Sequence, residues 1–194
     1  MTSSRNIAQP LLFDEAANVG RPVHAVVGRR HFGNMHGEVI GGKDEWLTPP
    51  WIIEALGRFD LDPCAPIERP WDTAEQHYTL LDDGLAQPWR GRVWLNPPYG
   101  RETWKWIARL AAHGRGTALT FARTETNGFH SEVWGKATGL LFFRGRLAFY
   151  NLNGVQAEAS AGAPSCLAAY GAADWQALQK SGIDGYLVAL RGEV

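Results

Sequence analysis

The sequence predicts an α/β fold with a mostly parallel β-sheet, helices on both faces and an antiparallel hairpin near the C-terminus. Two observations carry this prediction. Short apolar runs typical of buried strands alternate with segments whose apolar residues repeat at helical spacing, which is the pattern of a parallel sheet covered by helices. Polar side chains directly follow two of these runs, at the carboxyl ends where such sheets bind ligands.

The first elements of the folded part are a helix and a short strand. Thr48 can cap a helix whose first turn accommodates Pro49 and Pro50, because that turn contains N–H groups without intrahelical partners. Gly57 can end this helix. Residues 59–62 then predict a short strand that ends before proline.

The segment between this strand and the next is less regular. A short helix is predicted over residues 73–78, and a turn over residues 82–85. The later elements alternate, with strands predicted over 92–95, 117–121, 139–143 and 186–190 and helices over 103–113, 129–136 and 174–180. Residues 146–150 and 165–170 are predicted to pair as the hairpin, across a stretch rich in turn formers.

Length and composition are those of one globular domain. The chain has 194 residues, of which 45% are hydrophobic and 20% charged, so it can bury a core. Cys64 and Cys166 form no paired motif, which indicates reduced thiols. No apolar run is long enough to cross a bilayer and no signal-peptide pattern opens the chain, so we expect a cytoplasmic protein without a membrane partner.

The N-terminal 43 residues differ from the remainder. They show no sustained periodicity and contain six glycines, which predicts a flexible or irregular arm over residues 1–43 and a folded domain over residues 44–194. The arm also carries His24, His31 and His36, whose spacing matches no common zinc pattern, and we therefore expect no metal. The oligomeric state stays open.

The most informative motif is Asn96-Pro97-Pro98-Tyr99, which lies between a predicted strand and a predicted helix. Two successive prolines fix the backbone and remove two N–H donors, so carbonyl groups stay available as acceptors. Asn96 adds a side-chain carbonyl, and Tyr99 adds a ring on which a flat group can stack. The same residues also suit an ordinary turn. As a site, the motif fits a planar group that bears an amine.

Charge is unevenly distributed along the chain. The net charge is −1, but residues 101–150 contain eight basic and three acidic side chains, a net charge of +5. This basic block directly follows the Asn-Pro-Pro-Tyr motif. It indicates either a face for a phosphate-bearing partner or a solvated surface on which the charges happen to cluster.

Several motifs from Trp46 to about Gly171 together resemble the phage-type DNA N6-adenine methyltransferases. The similar elements occur in the same order: Trp46-Leu47-Thr48-Pro49, Asp62-Pro63-Cys64-Ala65, Asp83-Gly84-Leu85 with Trp89, Asn96-Pro97-Pro98-Tyr99-Gly100, Ala122-Arg123-Thr124, Gly145-Arg146-Leu147-Ala148-Phe149 and Ala163-Pro164-Ser165. The resemblance implies a Rossmann-like fold and S-adenosylmethionine as the cofactor. It also implies methyl transfer to the N6 amine of adenine in DNA, with the base flipped out of the duplex.

The resemblance also implies site residues. Those implied to be catalytic are Asn96, Pro97, Pro98 and Tyr99. Those implied to bind the cofactor are Trp46, Thr48, Pro49, Asp62, Pro63, Cys64, Ala65, Asp83 and Leu85. Helix capping by Thr48 and turn formation by Asp83 remain alternatives. The acidic residue for the cofactor ribose stays open among Glu68, Asp72 and Glu75, and the Gly-x-Gly loop common in methyltransferases is absent.

The chain leaves little room for a separate target-recognition domain, so DNA contacts are expected from loops. The candidates are Arg101, Arg123, Thr124, Arg144 and Arg146. The Asn-Pro-Pro-Tyr motif equally suits cytosine N4 or a protein glutamine, since each presents a conjugated NH₂ group. A DNA-binding relative without catalysis is a further alternative, and intact Asn96 and Tyr99 count against it.

Overall fold

The computed structural model describes residues 46–158 and 160–191, which form a seven-stranded sheet with helices on both faces. The predicted arm over residues 1–43 lies outside the described residues. The strands are β1 Leu61–Asp62, β2 Gln76–His77, β3 Val93–Leu95, β4 Gly116–Phe121, β5 Gly139–Phe143, β6 Ser165–Tyr170 and β7 Gly185–Ala189. The helices are α1 Pro50–Leu56, α2 Thr103–His113 and α3 Ala172–Lys180, and Phe129–Trp134 is a π-helical segment.

The strands lie in the order β2-β1-β3-β4-β6-β5-β7. The pairings among β2, β1, β3 and β4 are parallel, and those of β6 with β4, of β5 with β6 and of β7 with β5 are antiparallel. Strands β1 to β5 consequently run in one direction, and β6 and β7 run in the other. The mixed α/β class is as predicted, but the antiparallel part is larger than the predicted hairpin.

Side chains alternate between the two faces of the sheet and build two apolar cores. On one face, α2 and the π-helical segment contribute Ile107, Leu110, Phe129 and Val133. On the other face, α1 and α3 contribute Ile52, Leu56, Trp175 and Leu178. Strand residues divide between these cores in strict alternation, which is the expected consequence of the pleat. None of the described helices is long and apolar enough to cross a bilayer.

Several predicted elements are confirmed in place. The helix that begins at Thr103 ends at Gly114, whose φ of 74° is the left-handed conformation that glycine adopts without strain. The helix before Gly57 is α1, and the strand before Pro63 is β1. The helix expected over residues 129–136 is present as the wider π-helical turn.

The helix expected over residues 73–78 is wrong, because this segment contains strand β2. Its backbone bonds to the segment that includes β1: the amides of Glu75, Gln76 and Tyr78 donate to the carbonyls of Phe59, Asp60 and Asp62. These bonds are 2.9–3.1 Å long. The residues have no strand-like alternation of their own, so only the neighbouring strand determines their conformation.

The predicted hairpin of residues 146–150 with residues 165–170 is also wrong. Ser165–Tyr170 is buried along its whole length and inserts between β4 and β5, pairing with both. Its small side chains suit a central strand that is covered on both faces. The chain after Arg146 instead folds back on itself, with the Ala157 and Ala161 amides donating to the Phe149 and Leu147 carbonyls.

The strand order creates a switch point between β1 and β3. From β1 the chain moves to β2 on one side, and it then returns to β3 on the other side. Ligands of open α/β sheets bind at such a point, outside the carboxyl ends of the strands. Asp62 ends β1 and Asn96 follows β3 directly, so both lie at this place.

Candidate active site

The side chain of Asn96 is held in a defined orientation by the segment that precedes α1. Its Nδ2 donates to the Trp46 carbonyl over 3.2 Å, and its Oδ1 accepts from the Tyr99 hydroxyl over 3.2 Å. An amide oxygen has two lone pairs, so Oδ1 retains capacity for a second donor. Asn96 is half-buried.

The backbone of the motif is tied to α2. The Thr103 hydroxyl donates to the Pro98 carbonyl over 2.7 Å and accepts from the Gly100 amide over 2.8 Å. Pro97 is buried, and among the described residues its carbonyl accepts no backbone or side-chain hydrogen bond. Two oxygens of the motif, the Asn96 side-chain oxygen and the Pro97 carbonyl, therefore keep capacity to accept hydrogen bonds.

The Tyr99 ring stacks on Phe121, the last residue of β4. The ring centroids are 4.1 Å apart and the planes differ by 16°. Burial raises the pKa of the Tyr99 hydroxyl, so the hydroxyl stays protonated and acts as the donor to Asn96. Phe121 was not among the predicted site residues, because it appears in the sequence only as the apolar end of a strand.

Asp62 is the buried acid of the site. Its Oδ1 accepts from the Cys64 amide over 3.1 Å, and its Oδ2 accepts from the Thr73 hydroxyl over 2.5 Å. Burial raises the pKa of this carboxyl to about 6, and the two hydrogen bonds and Arg69 oppose the rise. Asp60 lies elsewhere, where its carboxylate accepts from the Arg92 amide. Thr73 was missed because its segment carried no clear pattern.

Cys64 joins the loop after β1 to the Asn-Pro-Pro-Tyr motif. Its thiol donates to the Asn96 carbonyl over 3.3 Å. Burial and the nearby Asp62 raise the pKa of this thiol well above its usual value, so it stays protonated and is a poor nucleophile. Pro63 and Ala65 on either side of it are buried. The strand-end loops of β1 and β3 thus form one connected structure.

The segment around Gly84 packs against the same loop. A Cβ at Gly84 would collide with the Pro63 carbonyl, and the Gly84 carbonyl accepts from Trp89 Nε1 over 2.8 Å. Arg109 of α2 donates to the Leu85 carbonyl. Asp83 is exposed and has a φ of 51°, which fits its alternative interpretation as a turn former.

Replacing Gly84 by alanine is therefore expected to push the 83–85 segment away from Pro63. If both segments bind one ligand, the affinity for S-adenosylmethionine should fall about tenfold, because backbone cannot yield as a flexible side chain does. Calorimetric titration measures this affinity. Gly162→Ala is the matched control, because a Cβ there meets no other atom. Unchanged affinity in Gly84→Ala would contradict a shared site.

The opening segment is buried beside the motif. Thr48 and Pro49 are buried and Trp46 is half-buried, while Leu47 pairs with Tyr150. The predicted capping role of Thr48 is wrong: the residue before α1 is Pro49, no side chain caps the helix, and the Thr48 carbonyl accepts from Trp71. The backbone of Thr48 instead holds the loop that contains Trp71 through this hydrogen bond.

The predicted DNA-contacting residues follow the carboxyl ends of β3, β4 and β5. Arg101, Arg123, Arg144 and Arg146 are exposed, and Thr124 is half-buried with its carbonyl accepting from Trp134 Nε1. Arg144 pairs with Asp184 over 3.1 Å, and Arg146 donates to the Ala161 carbonyl. These side chains share one edge of the sheet with Asn96.

The three acidic candidates for binding the cofactor ribose all lie on the segment between β1 and β2. Glu68, Asp72 and Glu75 are all exposed, and Asp72 and Glu75 form ion pairs with Arg69 and Arg58. Asp72 and Glu75 line a cavity of about 220 Å³ that also includes Thr73. The described residues contain no group of three or more His, Cys, Asp and Glu side chains that could hold a metal ion.

The chain is thus an α/β protein. Its sheet carries a buried acid and a rigid Asn-Pro-Pro-Tyr turn at the switch point, which together form a polar site suited to a flat ligand. A family model described as DNA N-6-adenine-methyltransferase (Dam) matches residues 39–178, which is more than half of the chain. The chain belongs to this family. No curated protein and no solved structure matches it. At family level, the assignment is to DNA adenine-N6 methyltransferases.

Proposed function

We propose that this protein transfers a methyl group from S-adenosylmethionine to the N6 amine of an adenine that has left the DNA duplex. The observation that carries the proposal is the pair of acceptors at Asn96 and Pro97, joined through Cys64 to the buried Asp62. Both elements lie at the switch point of a sheet that we propose to be Rossmann-like.

The acceptors can activate an amine that is otherwise a weak nucleophile. The lone pair of an adenine amine is delocalised into the ring, which flattens the NH₂ group. Acceptance of one N–H by Asn96 Oδ1 and the other by the Pro97 carbonyl favours a tetrahedral nitrogen whose lone pair projects from the ring. The anchor to the Trp46 carbonyl keeps Oδ1 in place, so this geometry exists before the base arrives.

The aromatic residues supply the plane for the base. We propose that the base stacks on Tyr99, supported by Phe121 behind it. The Tyr99 hydroxyl lies 3.2 Å from Asn96 Oδ1, so a stacked ring has its edge beside the acceptor. The target atom is inaccessible within a duplex, so the base must rotate out before it can stack here.

The residues around Asp62 suit a cationic cofactor. A carboxyl whose pKa is raised by burial has a costly negative charge, and a nearby positive group would stabilise that charge. S-adenosylmethionine carries a sulfonium and an ammonium group, and it supplies the activated methyl group of the reaction. Asp62 with the backbone of Pro63, Cys64 and Ala65 would hold its polar end. Thr48 and Pro49 would lie near its methionine part, and Asp83 and Leu85 near its adenine.

The basic block suits the DNA. Four arginines are exposed at the carboxyl edge of the sheet, where they can contact phosphates or guanine edges on either side of the flipped base: Arg101, Arg123, Arg144 and Arg146. A DNA substrate also fits the expected cytoplasmic location, including the cytoplasm of a bacterial host if the protein is phage-encoded. The same exposed charge favours nucleic acid over a protein glutamine as the substrate.

The experiment that tests the proposal uses labelled S-adenosylmethionine and two sets of duplexes. One set contains adenine in A·T pairs only, and the other contains cytosine in G·C pairs only. We expect label in adenine N6 of the first set, identified after digestion to nucleosides. Heat-inactivated protein is the control, and DNA from a methylation-free host supplies all sequence contexts. Label in cytosine N4 alone, or in neither base of both the duplexes and the host DNA, would overturn the assignment to adenine.

A further inference from the structure

A cavity of about 420 Å³ lies at the same edge of the sheet, between α1, the end of β5 and the segment before β7. Its walls combine two aromatic rings with charged groups, principally Trp51, Phe143, Arg144, Arg146 and Asp184. Its volume lies in the range of small-molecule sites. It includes none of the residues assigned to the cofactor or to methyl transfer.

The aromatic walls suit a flat ring. Trp51 is 44% exposed although it lies beside the fully buried Ile52 on α1. Trp51 and Phe143 meet at 89°, with centroids 6.2 Å apart. Two perpendicular rings form a corner in which a planar group can stack on one ring while its edge meets the other. Stacking of a nucleobase on an exposed aromatic ring is a common mode of single-strand binding.

The charged wall offers donors and acceptors side by side. Arg144 Nε donates to Asp184 Oδ1 over 3.1 Å, and the Arg144 amide donates to the Asp184 carbonyl over 3.1 Å. These contacts fix the two side chains next to each other. Within the described part of the chain, the terminal guanidinium nitrogens of Arg144 and Oδ2 of Asp184 have no further partner. Both side chains remain largely exposed.

Guanine matches this arrangement better than the other bases. On its adjoining Hoogsteen and Watson–Crick edges it presents two adjacent acceptors, N7 and O6, and then two adjacent donors, the N1–H and the N2 amine. The arginine fork suits the acceptors, and a carboxylate suits the donors. Arg146 has further N–H groups beside its bond to the Ala161 carbonyl, and these can hold a phosphate.

We propose that this cavity binds a guanine nucleotide whose Watson–Crick edge is free, with the base on Trp51, its edge on Arg144 and Asp184, and its phosphate on Arg146. The proposal rests on the proposed function for its source of guanine, which is an unpaired nucleotide near the target adenine. The cavity lies at the end of β5, three strand spacings or about 14 Å from β3. A short stretch of unpaired strand spans that distance.

The test uses a ligand that contains no adenine, so its outcome does not depend on methyl transfer. A single-stranded pentanucleotide of thymines with guanine at its centre is titrated calorimetrically against wild-type protein, beside an all-thymine pentanucleotide. We expect the guanine-containing strand to bind about tenfold more tightly. Inosine at the centre, which lacks the N2 amine, should lose part of this preference.

The variants Trp51→Ala and Asp184→Asn should remove the guanine preference, the first through lost stacking and the second through a lost acceptor. Glu54→Gln is the matched control, because Glu54 is an exposed carboxylate on α1 that does not line the cavity. Equal affinity for both strands, or a preference that survives in both variants, would overturn the proposal.

Addition of dGMP tests whether a free guanine nucleotide is a sufficient ligand or whether the cavity requires guanine within a nucleic-acid strand. Displacement of the pentanucleotide by dGMP supports the cavity and identifies a free nucleotide as a sufficient ligand. A preference for the guanine strand without displacement by dGMP also supports the cavity and assigns it to nucleic acid. If the strand binds with this preference but no adenine is methylated, the proposed activity fails while the guanine site stands.

Discussion

Replacing Asn96 by alanine is expected to lower the methyl-transfer rate by about a hundredfold to a thousandfold, while the affinity for S-adenosylmethionine stays near that of the wild type. The variant loses the side-chain acceptor of the amine and also the donor that holds the Trp46 carbonyl. A single-turnover assay on an adenine-containing duplex measures the rate, and calorimetric titration measures the cofactor affinity.

One further variant separates these two losses. Asn96→Asp keeps an acceptor oxygen but loses the bond to Trp46, so we expect an intermediate rate. Asn151→Ala is the matched control, because Asn151 is exposed and its backbone amide, not its side chain, bonds to Val155. An Asn96→Ala protein that methylates DNA at the wild-type rate would remove Asn96 from the reaction.

Replacing Asp62 by asparagine is expected to weaken S-adenosylmethionine binding at least tenfold while making the protein more stable at pH 8. The lost affinity follows from the loss of a buried negative charge beside a cationic ligand. The gain in stability follows from the same burial, because an asparagine avoids the charge. It can still accept from the Cys64 amide and donate to the Thr73 hydroxyl.

The pH dependence of this gain has a defined sign. The pKa of Asp62 is raised from 3.8 to about 6, so between these values the folded protein binds a proton that the unfolded chain has released. The contribution of Asp62 to stability therefore decreases as the pH rises through this window, and above it the charge costs about 3 kcal/mol. The stabilising effect of Asp62→Asn should be largest above pH 6 and absent below pH 4.

Thermal unfolding at pH 4 and pH 8 measures this difference, and the midpoint at pH 8 should rise by several degrees. Asp60→Asn is the matched control, because Asp60 lies on the same segment and, within residues 46–158 and 160–191, its carboxylate accepts only from the Arg92 amide. Unchanged cofactor affinity in Asp62→Asn would assign Asp62 to the fold and not to the cofactor.

Local sequence patterns predicted the helices, strands and turns whose signals lie within their own residues. Helix α2 follows from apolar residues at helical spacing and from Gly114, and both signals lie within the helix and its end. Strands β4 and β5 follow from short apolar runs that suit a sheet buried on both faces. The Asn-Pro-Pro-Tyr turn follows from proline, which restricts its own backbone wherever it occurs.

Elements that depend on a partner could not be predicted in the same way. Strand β2 exists because its amides find the carbonyls of the neighbouring segment, and its own residues carry no strand pattern. Strand β6 was recognised as a strand but assigned to the wrong partner, because its apolar side chains fit any buried position. The pairing of such a strand depends on which neighbouring strands have free backbone donors and acceptors at their edges.

The sequence by itself determined the α/β class, the chemistry of the Asn-Pro-Pro-Tyr turn and its order relative to the motifs of the family, because these depend on residue types and their spacing. Only the tertiary structure decided that Thr73 holds Asp62, that Phe121 supports Tyr99 and that Cys64 joins the two strand-end loops. Each of these contacts joins residues from separate segments of the chain, and the pairing of the strands brings these segments together.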